Sequence, residues 1–143
     1  MVRSNMAAPH LFRILVQVSD IDAAAGFYAA VLGMPGERVA KGRHYFHCAG
    51  TILALLDPSV DGEGKLAAPS PCDIYLAVDE LEPVRAAIPA HGGRLATGDV
   101  HGDPAGQVAR RPWGERSFYA EDPWGNPLCF VQRGSEFLGR PRG

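Results

Sequence analysis

The sequence has no long hydrophobic run, no paired cysteines and no cluster of positive charge, and each absence removes a class of function. No apolar stretch nears the roughly 20 residues that cross a bilayer, so no membrane partner is expected. Fourteen Lys and Arg against sixteen Asp and Glu give a formal net charge of −2. The longest basic run is the pair Arg110-Arg111. Nucleic acids and anionic lipid surfaces demand a concentrated positive field, so neither is an expected partner. The three cysteines, Cys48, Cys72 and Cys129, show no Cys-x-x-Cys spacing. They read as free, mostly buried thiols and not as a disulfide framework or a zinc cluster. Residues 1–10 read as a loose leader without the hydrophobic segment of a secretory signal, and Met6 offers a second start. The cytoplasm is the expected compartment.

What is present is ordinary in bulk and unusual in arrangement. The 143 residues, 46% hydrophobic and 21% charged, fit one compact globular domain. Residues 13–33 and 73–93 look like one unit written twice, sixty positions apart. Ile14-Leu15-Val16-Gln17-Val18 precedes Ser19-Asp20-Ile21-Asp22 and an Ala-rich segment ending at Gly33. Ile74-Tyr75-Leu76-Ala77-Val78 precedes Asp79-Glu80-Leu81-Glu82 and a segment ending at Gly92-Gly93. Internal repetition decides architecture before any single motif, and it predicts two strand–helix units about a pseudo-twofold axis. A functional site is expected between them.

The branched run 11–18 predicts a strand whose even positions, Phe12, Ile14, Val16 and Val18, face helices. Arg13, Leu15 and Gln17 then look toward something wetter. Ser19 is the expected N-cap of a helix, with Asp22 three residues on, and Asp79 with Glu82 repeats that grammar. Ile21, Ala24, Ala25, Tyr28, Val31 and Leu32 follow at helical spacing, and Leu81, Val84 and Ile88 form the second stripe. Gly33 and Gly92-Gly93 supply helix stops. Pro83 is tolerated because it falls in the first helical turn. Strands are expected over 36–40, 43–48, 51–57, 94–100, 115–121 and 126–132. Asp122-Pro123-Trp124-Gly125 turns between the last two.

The expected organisation is one domain over 1–143. It holds a first βαβββ module over 11–57, a linker over 58–71, a second module over 72–132 and a frayed tail over 133–143. A second long polar loop is expected over 101–114, and loops of such length are usually functional or mobile. The fold class is α+β, because several strands follow one another without intervening helices.

Val18-Ser19-Asp20-Ile21, Phe27-Tyr28 and Val31-Leu32-Gly33-Met34, with Arg116-Ser117-Phe118-Tyr119 and Asp122-Pro123-Trp124-Gly125-Asn126, resemble the vicinal oxygen chelate superfamily. That group includes glyoxalase I, bleomycin-resistance proteins, fosfomycin-resistance enzymes and extradiol dioxygenases. The resemblance spans about residues 11–132. It implies two βαβββ modules whose mixed sheets curl around a central cup. In the enzymes it also implies a divalent metal held there by His, Glu or Gln from the first and last strands of each module. At the matching positions this sequence has Arg13, Asp73 and Cys129, and 51–56 offers no Asp, Glu, His or Gln. A guanidinium stays protonated and repels a cation. No metal or other cofactor is therefore expected.

The candidate ligand-binding residues are Arg13, Gln17, His47, Asp73, Tyr75, Trp113 and Cys129. Arg13 and Asp73 are expected to form an ion pair in the metal's place, either closing the cup or leaving Arg13 partly free for an anionic or carbonyl group. Gln17, Tyr75 and Cys129 share cup-facing parity and would make a pocket wall of amide, phenol and thiol character. His44 and His47 lie three apart on a strand, so at most one faces the cup. His91 and His101 read as surface residues. Trp113 either lids a flat ligand or packs on the sheet edge. Cys129 has no partner histidine near it in sequence, and no catalytic residue is assigned.

The expectation is a metal-free, glyoxalase-like or bleomycin-resistance-like protein that binds or sequesters a small organic molecule, as a homodimer. Two other readings stay open. One is a metal-dependent lyase, transferase or dioxygenase using groups such as His44, His47, Asp57 or Glu121. The other is a non-catalytic ligand-sensing module.

Overall fold

The computed structural model describes residues 7–62 and 64–139. Most of the expected leader, Met6 included, lies outside the described residues, as does the end of the tail. The first module runs β1 (Arg13–Gln17), α1 (Ile21–Leu32), β2 (Glu37–Ala40), β3 (Arg43–Cys48) and β4 (Thr51–Leu56). The second runs β5 (Ile74–Val78), α2 (Leu81–Ala90), β6 (Arg94–Leu95), β7 (Asp99–Val100), β8 (Asp103–Pro104), β9 (Ala109–Arg110), β10 (Arg116–Glu121) and β11 (Pro127–Gln132).

Each module closes on itself in the same way. β1 pairs in parallel with β4, giving the sheet order β1-β4-β3-β2, and β5 pairs in parallel with β11 in the order β5-β11-β10-β6. The result is an α+β fold of two βαβββ units in which β1 and β5 are edge strands of separate sheets. Among the described residues no helix is long and apolar enough to cross a membrane.

The helices form where the apolar spacing demands, but their caps differ from expectation. Asp20, not Ser19, is the N-cap of α1, its side chain accepting from the Ala23 amide at 3.1 Å. Ile21, Ala24, Phe27, Tyr28 and Val31 then fall on the buried face, and Gly33 ends the helix at φ 73°. In α2 the cap position is Glu80, which makes no side-chain capping bond. Asp79 is drawn away instead, accepting from Arg133 at 2.7 Å. The bend after α2 brings Gly93 so near β10 that an added Cβ would stand 2.7 Å from the Glu121 carbonyl. No larger residue fits there.

The strand expected over 94–100 splits into β6 and β7, and the expected loop over 101–114 is mostly organised. β7 and β8 form a small hairpin, and β9 pairs with β10. Cys72 is exposed, which corrects the expectation of mostly buried thiols. Phe12 also stays largely outside, 54% exposed, because it precedes the stretch that α1 covers.

One buried polar cluster joins the modules. Tyr28, Asp122 and Asn126 are each 0% exposed. The Tyr28 hydroxyl donates to Asp122 Oδ2 at 2.8 Å, and the Asn126 side chain donates to the same oxygen at 2.8 Å. Asn126 also donates to the Gln17 carbonyl at the end of β1, at 2.9 Å, and accepts from the Ser70 amide at 2.8 Å. Burial, then the neighbouring carboxylate, hold the Tyr28 phenol well above its ordinary pKa, so it remains a donor. Asn126→Ala is expected to lower stability by about 3 kcal/mol, and Tyr28→Phe by about 2 kcal/mol. Urea denaturation checks both, and a loss below about 0.5 kcal/mol for Asn126→Ala would show that the clasp is dispensable.

Candidate functional site

Register fixes which side chains share a face. Arg13 lies opposite Ile52, and Ile52 opposite His47, so His47 stands with Arg13 on the face away from the helices. His44 is on the helix side and 8% exposed. Its Nδ1 accepts from Arg38 Nε at 3.4 Å, so its Nε2 donates to the Pro35 carbonyl at 3.0 Å. That histidine is spent on structure.

On the second sheet, Tyr75, Cys129 and Tyr119 form one cross-strand row on the face away from α2, beside the row of Ala77, Val131 and Ser117. Cys129 is 0% exposed, and burial above all pushes its thiol up to about 12, against hydrogen bonds from Ser117 and Tyr119 that lower it. Tyr119 is also raised, chiefly by burial and then by its neighbours Cys129 and Tyr75. Each therefore stays neutral near pH 7.

The side chain of Arg111, 2% exposed, crosses this face. Its Nε donates to Ser117 Oγ at 3.1 Å, and Nη2 donates to the carbonyls of Gln107 and Ser117, both at 3.0 Å. The guanidinium lies 5.2 Å from the centre of the Tyr119 ring. Nη1 has no partner among the described residues. A tight turn follows, with the Arg111 amide donating to Glu115 O at 2.7 Å and the Gly114 amide to Arg111 O at 2.8 Å. Trp113 rides at its tip.

Two cavities flank β5. The first, about 660 Å³, is framed by Tyr75, Ala77, Val131, Trp113, Glu115 and Phe137. Trp113 Nε1 donates to Glu115 Oε1 at 2.8 Å, and the Phe137 amide donates to Glu115 Oε2 at 2.9 Å. One carboxylate thus sets both aromatic walls, and the tail expected to fray supplies one of them. The second cavity, about 830 Å³, is a groove between the modules. Met34, His47, Ile52, Tyr75, Val84 and Arg133 are among its walls. Tyr75 borders both.

The sequence model of the Glyoxalase/Bleomycin resistance protein/Dioxygenase superfamily matches residues 10–130. The chain belongs to that superfamily. No curated protein matches the sequence significantly. Among solved structures, a glyoxalase/bleomycin resistance protein from Albidiferax ferrireducens T118 superposes with a TM-score of 0.67 at 22% identity. That match covers 85% of this chain and 96% of the other. A glyoxalase-related enzyme from Fulvimarina pelagi gives 0.69 at 18% identity, covering 88% and 89%. Lactoylglutathione lyase from Agrobacterium tumefaciens gives 0.60 at 21% identity, covering 90% and 96%. At these identities the likeness concerns the fold.

Superfamily enzymes hold a divalent metal in the cup, and the residues here do not fit one. Among the described residues no three His, Cys, Asp or Glu side chains gather as a metal would require. Arg13, whose guanidinium stays protonated, stands at one of the positions that the resemblance matches to a ligand.

The sequence-named residues separate into groups. Tyr75 and Trp113 meet at the first cavity, and His47 and Tyr75 border the second. Cys129 stands beside Tyr75 in the cross-strand row. Gln17 is engaged elsewhere, accepting from the Ala68 amide at 2.9 Å. Arg13 and Asp73 form no ion pair, which corrects that expectation. Arg13 is exposed, its guanidinium 5.1 Å from the Phe12 ring centre, while burial raises the Asp73 carboxyl. The reason is architectural, since β1 and β5 share no ladder that would hold equivalent positions together. Arg111, Glu115 and Phe137 were not singled out by sequence.

With the Cys129 thiol near 12, its thiolate fraction at pH 8 is on the order of one in ten thousand. Iodoacetamide at pH 8 should modify exposed Cys72 within minutes and leave Cys129 intact until the protein is unfolded. Peptide mass spectrometry reads both sites, and prompt alkylation of Cys129 in the folded protein would contradict its burial.

Proposed function

We propose that this protein binds a small organic molecule in the cavity beside β5, on the second module, sequestering it without a metal. The observation that carries the reading is the cavity of about 660 Å³ walled by Tyr75, Trp113 and Phe137 and ordered by Glu115. A volume in this range suits a drug-sized ligand, and aromatic walls with a few placed polar groups are what such sites use. Buried Cys129 and half-buried Tyr119, both neutral, supply no ready nucleophile or base, which favours binding over turnover. Arg13, Gln17 and Asp73 play no direct part in this reading, and His47 serves the adjoining groove.

Purified protein should carry well under about 0.1 transition metal per chain by mass spectrometry. About one tightly held Fe, Mn, Zn or Ni per chain would sink the metal-free reading and restore the enzymatic one. Screening aromatic antibiotics, thiol conjugates and catechols by thermal shift should give at least one hit that Trp113→Ala weakens. At a hundredfold excess over Kd, a true ligand adds about 2.7 kcal/mol of apparent stability. A screen with no hit favours an inert module.

The proposal extends to a cytoplasmic homodimer. Supporting it, Leu11 (69%), Phe12 (54%), Leu15 (47%) and Tyr75 (59%) leave apolar surface exposed along β5 and along β1 with its approach. Free thiols suit a reducing compartment. Sedimentation at about 100 μM should show a dimer, and Phe12→Asp with Leu15→Asp should yield folded monomer. A monomeric parent protein at that concentration would count against the dimer.

A further inference from the structure

Resting on that binding reading, we infer that the cavity at Trp113 takes an organic anion, a flat apolar body whose carboxylate or similar oxyanion is received by the Arg111 guanidinium. Arg111 keeps its positive charge at a position where it is 2% exposed. No ion pair among the described residues involves it. Its Nε–Nη2 edge is taken by Ser117, through Oγ at 3.1 Å and the carbonyl at 3.0 Å, and Nη2 also donates to the Gln107 carbonyl. Nη1 lies off that edge and finds no acceptor among the described residues. A buried charge held only by neutral dipoles lacks its strongest partner. An oxyanion at Nη1 supplies the counter-charge and the missing acceptor together.

Register places this group beside the cavity. Ser117 lies opposite Val131, and Val131 opposite Ala77, in one row across the face away from α2. Val131 and Ala77 line the cavity, and Arg111 is bonded to the third member of their row. The neighbouring row repeats the relation. Tyr75 is on the cavity wall, and the guanidinium lies 5.2 Å from the centre of the Tyr119 ring at the row's other end. The chain adds a third link, because Arg111 begins the turn that carries Trp113 and ends at Glu115, both on the wall. Since Arg111 is buried, the oxyanion reaches it as that turn moves, and Trp113 moves with it.

Glu115 is the charge such a ligand must avoid, and the field across the face shows where it can do so. At Tyr75, after burial and Cys129, the negative charges of Asp73 and Glu115 push the phenol up. At Tyr119, which burial raises most, the Arg111 charge works in the opposite direction. The face is therefore negative toward β5 and positive over β10. The Glu115 carboxylate is engaged by Trp113 Nε1 and the Phe137 amide. The ligand's oxyanion is directed to the β10 side, and its apolar body lies against the rings of Tyr75, Trp113 and Phe137. A neutral molecule of that shape would leave the guanidinium uncompensated, and a cation would add a like charge beside it.

Three naphthalene probes of nearly one shape separate these cases. They are 2-naphthoate, the uncharged 2-naphthamide and the cationic 2-naphthylmethylammonium. By isothermal titration calorimetry at neutral pH, 2-naphthoate should bind at least about tenfold more tightly than the amide, with the ammonium weakest. Arg111→Met should bring 2-naphthoate to within about threefold of the amide and leave the amide within about threefold of its affinity for the parent protein. A folded Arg111→Met protein that weakens all three probes alike, keeping their ratio, would make Arg111 a tie for the loop and overturn its role as receptor. Equal affinity of the parent protein for naphthoate and amide, the result if a water satisfies Nη1, overturns the anion assignment while the binding reading stands. Preference for the ammonium does the same. If none of the three binds, the binding reading fails with it. The ranking on the parent protein decides the matter even if Arg111→Met does not fold.

Discussion

Asp122 sits wholly out of water, where an uncompensated carboxylate would be penalised by several kcal/mol, and it is tolerated because four donors converge on it. Oδ1 accepts from the amides of Trp124 and Asn126 at 2.9 and 2.8 Å, closing the turn. Oδ2 accepts from the Tyr28 hydroxyl and the Asn126 side chain. The first pair shapes the second module, and the Tyr28 bond reaches into α1 of the first. Asn126 then spans the remaining gap to β1 and to the linker. The relative placement of the two sheets, and so of everything between them, depends on this one charge being fully satisfied.

The clasp has no counterpart at the opposite end. The equivalent hairpin of the first module turns through Ala49 and Gly50, which carry no side-chain donor or carboxylate. The Gln17 carbonyl at the end of β1 is taken by Asn126 of the other module, whereas the Val78 carbonyl at the end of β5 is taken by the Arg133 amide from its own module. The modules are bonded at one end and part at the other into the groove that His47 and Met34 border. A duplicated architecture thus yields a single-sided opening, because only one of its two hairpins kept the polar turn.

How much of this the sequence disclosed follows from which interactions are local. The repeat of branched strand, acidic cap region and apolar helical stripe made the two βαβββ units legible, since strand parity and helical spacing are written in consecutive residues. Parity also separated His44 from His47 and put Tyr75 on the face of Cys129. Caps were misjudged by one residue, because Ser19 and Asp20 both carry an accepting oxygen and only backbone geometry chooses between them. The Arg13–Asp73 pairing failed for a different reason. It assumed that sequence equivalence about a pseudo-twofold axis means contact, whereas β1 and β5 are edges of sheets that do not pair. Glu115 and Phe137 were invisible because their bond joins a strand's start to the chain's last described segment.

Arg111 shows most plainly what a sequence conceals. In a polar loop after another arginine, it reads as a solvated charge, the commonest fate of such a residue. Instead it is buried without a carboxylate partner, and one of its nitrogens finds no acceptor among the described residues, an arrangement that works against stability. Its bonds to Ser117 and to the Gln107 carbonyl tie the loop down onto the second sheet, and the turn it begins ends at Glu115. That turn presents Trp113, and Glu115 orients it. The unfavourable burial of one guanidinium therefore fixes the aromatic wall of the cavity in place. A loop with a solvated arginine would be the more stable choice and would leave Trp113 without a fixed position over the cup.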